Sequence, residues 1–324
     1  MRAVSLATIA VALLGGVVAA LAQDYPSRPI IMVVPNPPGG PTDTVGRILA
    51  DGMARSLSVP VVIENVTGAG GTVAGGHVAH AAADGYTIEI GNWSSHVGAA
   101  AIYATQYDVR RDLQPISLLT YTPLWIVGNA ALPPNNAAEL IAWVKARTTP
   151  VPVGTVGAGS AAHLCGIYFQ QKTGALFQYV PYRGAGPIIQ DLIGGQIDLA
   201  CIDASTSYPS VAAGKIKAYA VLSETRWPKS PNTPTMIESG VPGLTISFWH
   251  GLWAPAGTPP AIVKRLDGAV QAALADPAVR QRFESLGQVI FPVDRQTPQG
   301  LGDFHQAEID KWWQIIKGAG IKAE

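Results

Sequence analysis

At 324 residues with 22 basic and 22 acidic side chains, the chain has no excess positive charge with which to neutralise a phosphate backbone, which argues against nucleic acid as a partner. Any anion it holds is gripped by dipoles rather than by a basic patch. Once a short apolar leader is set aside, about 300 residues remain, enough for two domains with full cores, and no later stretch is apolar enough to cross a membrane.

The leader runs from Met1-Arg2 through an apolar stretch, Ala3 to Ala19, to Ala20-Leu21-Ala22. A short basic end, an apolar middle and a small-x-small site make a secretory signal peptide, cleaved near Ala22, which places the mature chain in the periplasm. An uncleaved anchor is the competing reading, but the Ala-x-Ala ending and the lack of basic residues just after it favour cleavage. No Cys follows the site, so a lipid anchor is not indicated.

The mature chain then repeats one script. Ile30 to Val34 reads as a strand, Pro38-Gly39-Gly40-Pro41-Thr42-Asp43 as a turn and Thr44 to Leu57 as a helix. Val61 to Glu64, the turn Gly68-Ala69-Gly70-Gly71, a helix to Ala83 and a strand ending at Ile90 complete the first pass. Leu118 to Val127 is a long apolar β-type run. The second pass has a strand from Val151 to Val156, the turn Gly157-Ala158-Gly159-Ser160 and a helix from Ala161 to Lys172. It continues with a strand at Gln178 to Val180, the turn Gly184-Ala185-Gly186, a helix through Leu192 and a strand at Gln196 to Ala200. A second long β-type run, Leu244 to Leu252, precedes helices at Pro260 to Leu274, Pro277 to Leu286 and Pro298 to Lys317.

Strands alternating with helices imply parallel βαβ units, so the fold class is α/β: two doubly wound domains with a central cleft. The two long β-type runs serve as crossovers between them. The expected division is signal peptide 1–22, first segment of domain 1 at 23–124, domain 2 at 125–247, and the second segment of domain 1, with the C-terminal helices, at 248–324.

In a parallel sheet ligands bind beyond the carboxyl ends of the strands, where every one of these Gly turns sits. A helix N-terminus offers unpaired N–H groups and the positive end of a dipole, so a Gly turn leading into a helix is a ready anion site. Gly39-Gly40 lets backbone approach a ligand, and Thr42 or Asp43 can cap the helix. Alone, Pro38-Gly39-Gly40 reads equally as a plain strand-to-helix turn. Gly157-Ala158-Gly159-Ser160 at the equivalent point of the second half, with Ser160 placed as both cap and donor, turns it into one jaw of two.

Other chemistries fit less well. Gly157-x-Gly159-x-x-Ala162 resembles a dinucleotide fingerprint, but the strand that follows carries no acid for a ribose, and no Gly-Lys-Ser/Thr follows Gly40, so no nucleotide cofactor is expected. No Gly-x-Ser-x-Gly elbow occurs, Ser94-Ser95-His96 is too local to form a triad, and no catalytic residue is assigned. His77 and His80 lack accompanying ligands and belong on a helix surface, so no metal site is expected. Trp93, Tyr103, Tyr121 and Trp125 fit an apolar wall or, more commonly, the core. Cys165 and Cys201 leave two readings open: a disulfide suited to an oxidising compartment, or two small buried thiols.

Ordered signatures along the chain resemble the extracytoplasmic receptors of tripartite tricarboxylate transporters, also called Bug proteins. They are Tyr25-Pro26-Ser27-Arg28-Pro29-Ile30, Val34-Pro35-Asn36-Pro37-Pro38-Gly39-Gly40-Pro41-Thr42-Asp43, Glu64-Asn65, Asp84-Gly85-Tyr86-Thr87, Gly157-Ala158-Gly159-Ser160 with His163, Val180-Pro181-Tyr182-Arg183-Gly184, Asp191-Leu192-Ile193-Gly194-Gly195 and Ala254-Pro255-Ala256-Gly257-Thr258-Pro259. The resemblance covers essentially the whole mature chain. It implies a monomeric, non-enzymatic Venus-flytrap receptor, similar to type II periplasmic binding proteins, that delivers an organic carboxylate to a transporter of one large and one small membrane subunit. A receptor for a two-component sensor kinase is the alternative.

Carried over, the resemblance points to Pro38, Gly39, Gly40, Thr42 and Asp43 on one lip and Ala158, Gly159, Ser160 and His163 on the other, with Asp203 as an acid near the ligand. Ser94 and Tyr182 complete the set with Asn36, which stands where the family usually has an aromatic residue. An amide there either turns ligand choice towards a more polar molecule or faces solvent at the rim. On this reading Ser160→Ala removes one donor from the carboxylate, at a cost on the order of 1 kcal/mol.

Overall fold

Five residues, Ile30–Val34, form the strand β1 from which the first half of the molecule is built, and the run is nearly all apolar because both faces are covered. The computed structural model describes residues 25–157 and 159–321; the signal-peptide assignment and Ala158 lie outside the described residues. From β1 the chain passes into α1 (Pro41–Leu57), β2 (Val61–Asn65), α2 (Thr72–Ala79), β3 (Thr87–Asn92), a π-helical turn at Ser94–Gly98 and the short α3 (Ala99–Ile102). A 17-residue strand, β4 (Leu113–Asn129), leads to α4 (Ala137–Ala146), β5 (Val151–Thr155), α5 (Ala161–Thr173), β6 (Phe177–Pro181), α6 (Ala185–Ile193), β7 (Leu199–Asp203), α7 (Ala204–Ala212) and β8 (Ile216–Val221). Then come β9 (Ser247–Pro255), α8 (Pro260–Ala275), α9 (Pro277–Ser285), the two-residue β10 (Val289–Ile290) and α10 (Pro298–Gly318).

The strands form one curled sheet in the order β2-β1-β3-β9-β4-β7-β5-β6, with β8 and β10 also paired to β4. Within each half the βαβ strands are parallel: β2-β1-β3 in the first, β6-β5-β7 in the second. The long strand β4 serves both halves. Its residues Leu113 to Pro123 pair antiparallel with β9, while Leu124 to Gly128 pair with β7.

Packing follows the alternation of each strand. Ile30, Met32 and Val34 bury against Val45, Ile48 and Leu49 of α1 and Leu266 and Val270 of α8, whereas Val33 faces the cluster that holds Val78 of α2 and Trp312 of α10. The three C-terminal helices therefore cover the first half. Each starts with Pro at N1 or N2, where a missing N–H costs nothing. In the second half Leu140 of α4 and Leu164 of α5 cover one face, and Ile188 and Leu192 of α6 pack against Trp125 on the other. Each such aliphatic side chain contributes roughly 1.5–3 kcal/mol by leaving water. A disulfide joins Cys165 on α5 to Cys201 on β7, with 6.2 Å between their Cα atoms.

Several elements differ from the sequence expectation. The second helix stops at Ala79 rather than Ala83, and β7 begins at Leu199, beyond the Gly194-Gly195-Gln196 turn. The helices α3, α4 and α7 and the strands β8 and β10 were not expected. Trp93 and Trp125 are fully buried, so they belong to the core rather than to a ligand wall, and His77 and His80 are exposed on α2 and just after it.

Beneath the sheet of the first half lies a buried titratable group. Glu89 of β3 is fully buried, with neither carboxylate oxygen hydrogen-bonded among the described residues, and burial pushes its pKa from an ordinary 4.5 up to about 8. His96, whose Nε2 lies 3.7 Å away, is held below its ordinary value by burial and then by His305. The pair is therefore neutral and not an ion pair. Burial also lowers His305 to about 4 and His250 to about 3. The folded chain keeps a proton on Glu89 that the unfolded chain sheds above pH 4.5, so stability falls as pH rises from 4.5 and levels off beyond 8. The histidines act oppositely, since the unfolded chain alone binds their protons below pH 6.5. Glu89→Gln, which keeps a neutral side chain, will flatten the alkaline limb of a melting-temperature profile and leave the acid limb in place. Parallel wild-type and variant curves above pH 5 would show that Glu89 is ionised in the folded protein.

Candidate functional site

The carboxyl ends of β1, β5, β6 and β7 each feed a helix, and the first turns of those helices converge. Pro41 of α1, Ala161 and Ala162 of α5, Ala185 of α6 and Thr206 of α7 line one chamber of about 140 Å³, together with Ser94 of the π-helical turn. Helices α1 and α6 start at Gly40 and Gly184 with no side-chain cap hydrogen bond, so no capping side chain closes off these two helix starts. Helices α5 and α7 carry their own caps, Ser160 and Asp203. Leu124, Val156, Ile202 and Phe248 form the remaining wall, and among the described residues no Lys or Arg lines the chamber. Two helix starts without a side-chain cap offer dipole ends to an anion beside this wall, while α5 and α7 are closed by Ser160 and by the Asp203 carboxylate, which lines the chamber.

The first turn is held from behind. Gly39, at φ +81°, donates its amide to Asp43 Oδ2 at 2.8 Å, and the Gly40 amide donates to Pro37 O. Asp43 also accepts from Arg47 at 2.8 and 3.0 Å and from Asn65 at 2.9 Å. Burial opposes ionisation of Asp43, but Arg47, the Gly39 amide and Asn65 outweigh it and bring the pKa down to about 2. All four contacts come from within the protein, so Asp43 shapes the turn rather than facing the cleft. The cap of α1 is Gly40; Thr42 and Asp43, expected as caps, sit inside the helix.

Thr42 and Asn36 join a second network. Asn92 donates to Asn36 Oδ1 at 2.7 Å and to Thr42 Oγ1 at 3.0 Å, and Thr42 Oγ1 lies 3.3 Å from Nε2 of buried His250. Asn65 closes the ring by donating to the Asn36 carbonyl at 2.9 Å. Asn36 is thus neither at a free rim nor in the chamber: it braces the turn against β3. Because His250 is neutral, it brings no charge to the site.

On the opposite lip the Ser160 hydroxyl donates to Gly157 O at 2.8 Å and accepts from the His163 amide at 3.2 Å. The hydroxyl proton, expected for a ligand, is engaged in the cap. Gly159 donates to His163 Nδ1 at 3.2 Å, and the His163 ring stands edge-on to Tyr179 and lines a different cavity with Ile167 and Leu176. Tyr182 donates to Asp191 at 2.6 Å on α6. Asp203 does line the chamber, with its carboxylate taking hydrogen bonds from Thr122, Ser205, and the amide and hydroxyl of Thr206. The two lips touch: a Cβ on Gly98 would lie 2.5 Å from the Gly159 carbonyl oxygen.

Of the expected set, Ser94 and Asp203 line the chamber and Gly39 lines a neighbouring one, while Pro38 is exposed beside them. Sequence reasoning missed Pro41, Leu124, Val156, Ala161, Ala162, Ala185, Ile202, Thr206 and Phe248. Pro41, Ala161, Ala162 and Ala185 had a usable signal, since each lies at or just after a Gly turn that leads into a helix. Among the described residues no group of three or more His, Cys, Asp or Glu could hold a metal ion, and no helix is long and apolar enough to cross a membrane.

Residues 45–321 match the family described as the tripartite tricarboxylate transporter family receptor. The chain belongs to this family. A relative from Agrobacterium vitis, named for its position in the TAR-I ttuE-ttuC' intergenic region, is 40% identical over 306 residues, covering 93% of this chain and 87% of its own. The structure of the periplasmic binding protein BugD has a TM-score of 0.78 at 38% identity, covering 93% of this chain and 100% of that one. MatC from Rhodopseudomonas palustris, solved with bound malate, has a TM-score of 0.78 at 36% identity, covering 90% of this chain and 100% of that one. The receptor has the fold of these periplasmic binding proteins: two doubly wound α/β halves on one curled sheet.

Two substitutions separate the roles of the jaws. Asp43→Asn, which removes the charge that Arg47, Gly39 and Asn65 converge on, will cost roughly 1–3 kcal/mol of stability. Since the Asp43 pKa falls from an ordinary 3.8 to about 2, its contribution is complete above pH 3.8 and lost as pH falls through 2. The deficit of the variant, followed by urea melts, must shrink over that same interval. Ser160→Ala will lower stability by about 1 kcal/mol through loss of the α5 cap; a loss of ligand affinity with unchanged stability would return the hydroxyl to the ligand.

Proposed function

We propose that this receptor captures a small organic carboxylate in the chamber between its two lips and presents it, in the periplasm, to the large and small membrane subunits of a tripartite tricarboxylate-type transporter. The observation that carries the reading is the convergence of four helix N-termini on a pocket that, among the described residues, is lined by no Lys or Arg. A carboxylate is the common small anion that such amides and dipoles satisfy without a counter-ion. The malate held by the related MatC supports the same class of cargo. No step of this reading needs a nucleophile, a cofactor or a metal.

Capture follows from the sheet. Residues 23–124 and 248–324 form one unit and 125–247 the other, and β4 changes partners between Pro123 and Leu124, from β9 to β7. Rotation about this point and about the chain entering β9 opens and closes the lips, and a ligand that touches both lips binds the closed form better.

Thermal shift of the purified chain against mono-, di- and tricarboxylates, aromatic acids and acidic amino acids tests the proposal. A true ligand at 100 times its Kd stabilises the folded state by about 2.7 kcal/mol and raises the melting temperature, while its uncharged amide does not. A panel in which only neutral or cationic solutes shift the melt rules the carboxylate out.

A further inference from the structure

Helix α9 closes its end only in part with its own backbone. The Gln288 amide donates to Phe283 O at 2.9 Å and the Gly287 amide to Glu284 O at 2.8 Å, with Gly287 at φ +72°, which is a Schellman closure. The carbonyls of Ser285 and Gly287 are met by the segment that follows β8 in the other half of the sheet. Lys229 Nζ donates to Ser285 O at 2.7 Å, and Trp227 Nε1 donates to Gly287 O at 3.1 Å. A cation placed there also faces the negative end of the α9 dipole. The segment is braced for these bonds: the Ser230 amide donates to Trp227 O at 2.9 Å, and the Trp227 ring meets Trp125 and Tyr208 edge to face.

Steric fit points to the same junction. A Cβ on Gly287 would lie 2.6 Å from Trp227 Cζ2 and 3.2 Å from Ser205 Cβ, both in the other half. Ser205, in the first turn of α7, donates to Asp203, and its neighbour Thr206 lines the chamber. Between the start of α1 and this junction lies a cavity of about 420 Å³, with Pro41, Ser205, Trp227, Lys229, Ser285 and Gln288 in its wall.

Resting on the two units and the carboxylate capture set out above, we propose that Trp227 and Lys229 are a closing latch. When the lips meet on an anion, the two side chains complete the end of α9; when the lips part, these bonds break and water takes the carbonyls. The latch stabilises the closed form alone, so it slows release of the anion and leaves entry unchanged. The chamber selects the anion, and the latch sets how long it stays.

Spin labels on Val62→Cys and Ile237→Cys, exposed positions in the two units, report the distance between the units by electron–electron resonance, with malate, adipate and citrate as probes. An acid that shortens this distance in the wild type will leave Lys229→Gln roughly threefold to tenfold faster in stopped flow, with association changed by less than about twofold, and Lys229→Arg will restore slow release. Gly287→Asn keeps the left-handed end of α9 but blocks the seat of Trp227, so the longer distance will persist at saturating acid. Wild-type release and distance in both Lys229→Gln and Gly287→Asn, whatever their melting temperatures, mark a permanent junction and overturn the latch while carboxylate capture stands. A wild-type distance that none of the three acids shortens overturns closure on an anion, and the latch with it.

Discussion

An α-helix leaves its first amides without partners inside the helix, and the cleft is organised by where those amides point. Parallel βαβ units put every helix start at the carboxyl edge of the sheet, so two such units on one sheet bring several starts to the same place. In this chain α1 and α6 arrive uncapped by any side chain, while α5 and α7 are capped by Ser160 and Asp203. The uncapped pair comes from opposite halves of the sheet. On the proposed reading, an anion that satisfies both has contacts on both lips, which would tie binding to closure by geometry rather than by a charged clamp.

Keeping the first turn's ionisable groups out of the pocket needs polar work behind it. Asp43 spends its carboxylate on Gly39, Arg47 and Asn65, and in doing so neutralises the arginine nearest the turn. His250 is buried under Thr42 and held neutral. Asn36, Asn92 and Asn65 tie the turn to β2 and β3 with amides that need no counter-charge. The result is a turn whose Gly39 and Gly40 amides and ionisable neighbours are satisfied within the protein, which fixes the start of α1. This also accounts for an amide at position 36: Asn92 donates to it, and a ring could not accept that bond.

The sequence was most legible where local rules set the structure. Gly turns marked strand ends, and Pro260, Pro277 and Pro298 marked helix starts because Pro is tolerated there. Helix α4 was hidden by a leader of Pro and Asn residues, and β8 by its separation from its partner strand: Ile216–Val221 pairs with β4, some ninety positions earlier in the chain. The site was read less well than the fold for the same reason. Phe248 and Leu124 reach the chamber from strands that cross between halves, and nothing near them in sequence announces it. His163 failed for a different cause. Ala161 and Ala162 line the chamber, and each helical residue turns the side chain by about 100°, so by His163 it faces Tyr179 and a cavity outside the cleft.

The closeness of the lips has its own requirement. Gly98 ends the π-helical turn of the first half, and Gly159, at φ +72°, precedes α5 in the second; a side chain on either would collide, at Gly98 with the Gly159 carbonyl and at Gly159 with Ile102. Backbone therefore meets backbone across the cleft at a point one residue from Ser160 and four from Ser94. A π-helical turn widens the local helix by one residue, and it is this turn that presents Ser94 to the chamber while sending His96 back into the core beside Glu89. Ser94 in the chamber wall and His96 beside the buried Glu89 of β3 are thus two faces of a single five-residue turn, so the packing that fixes one also fixes the other.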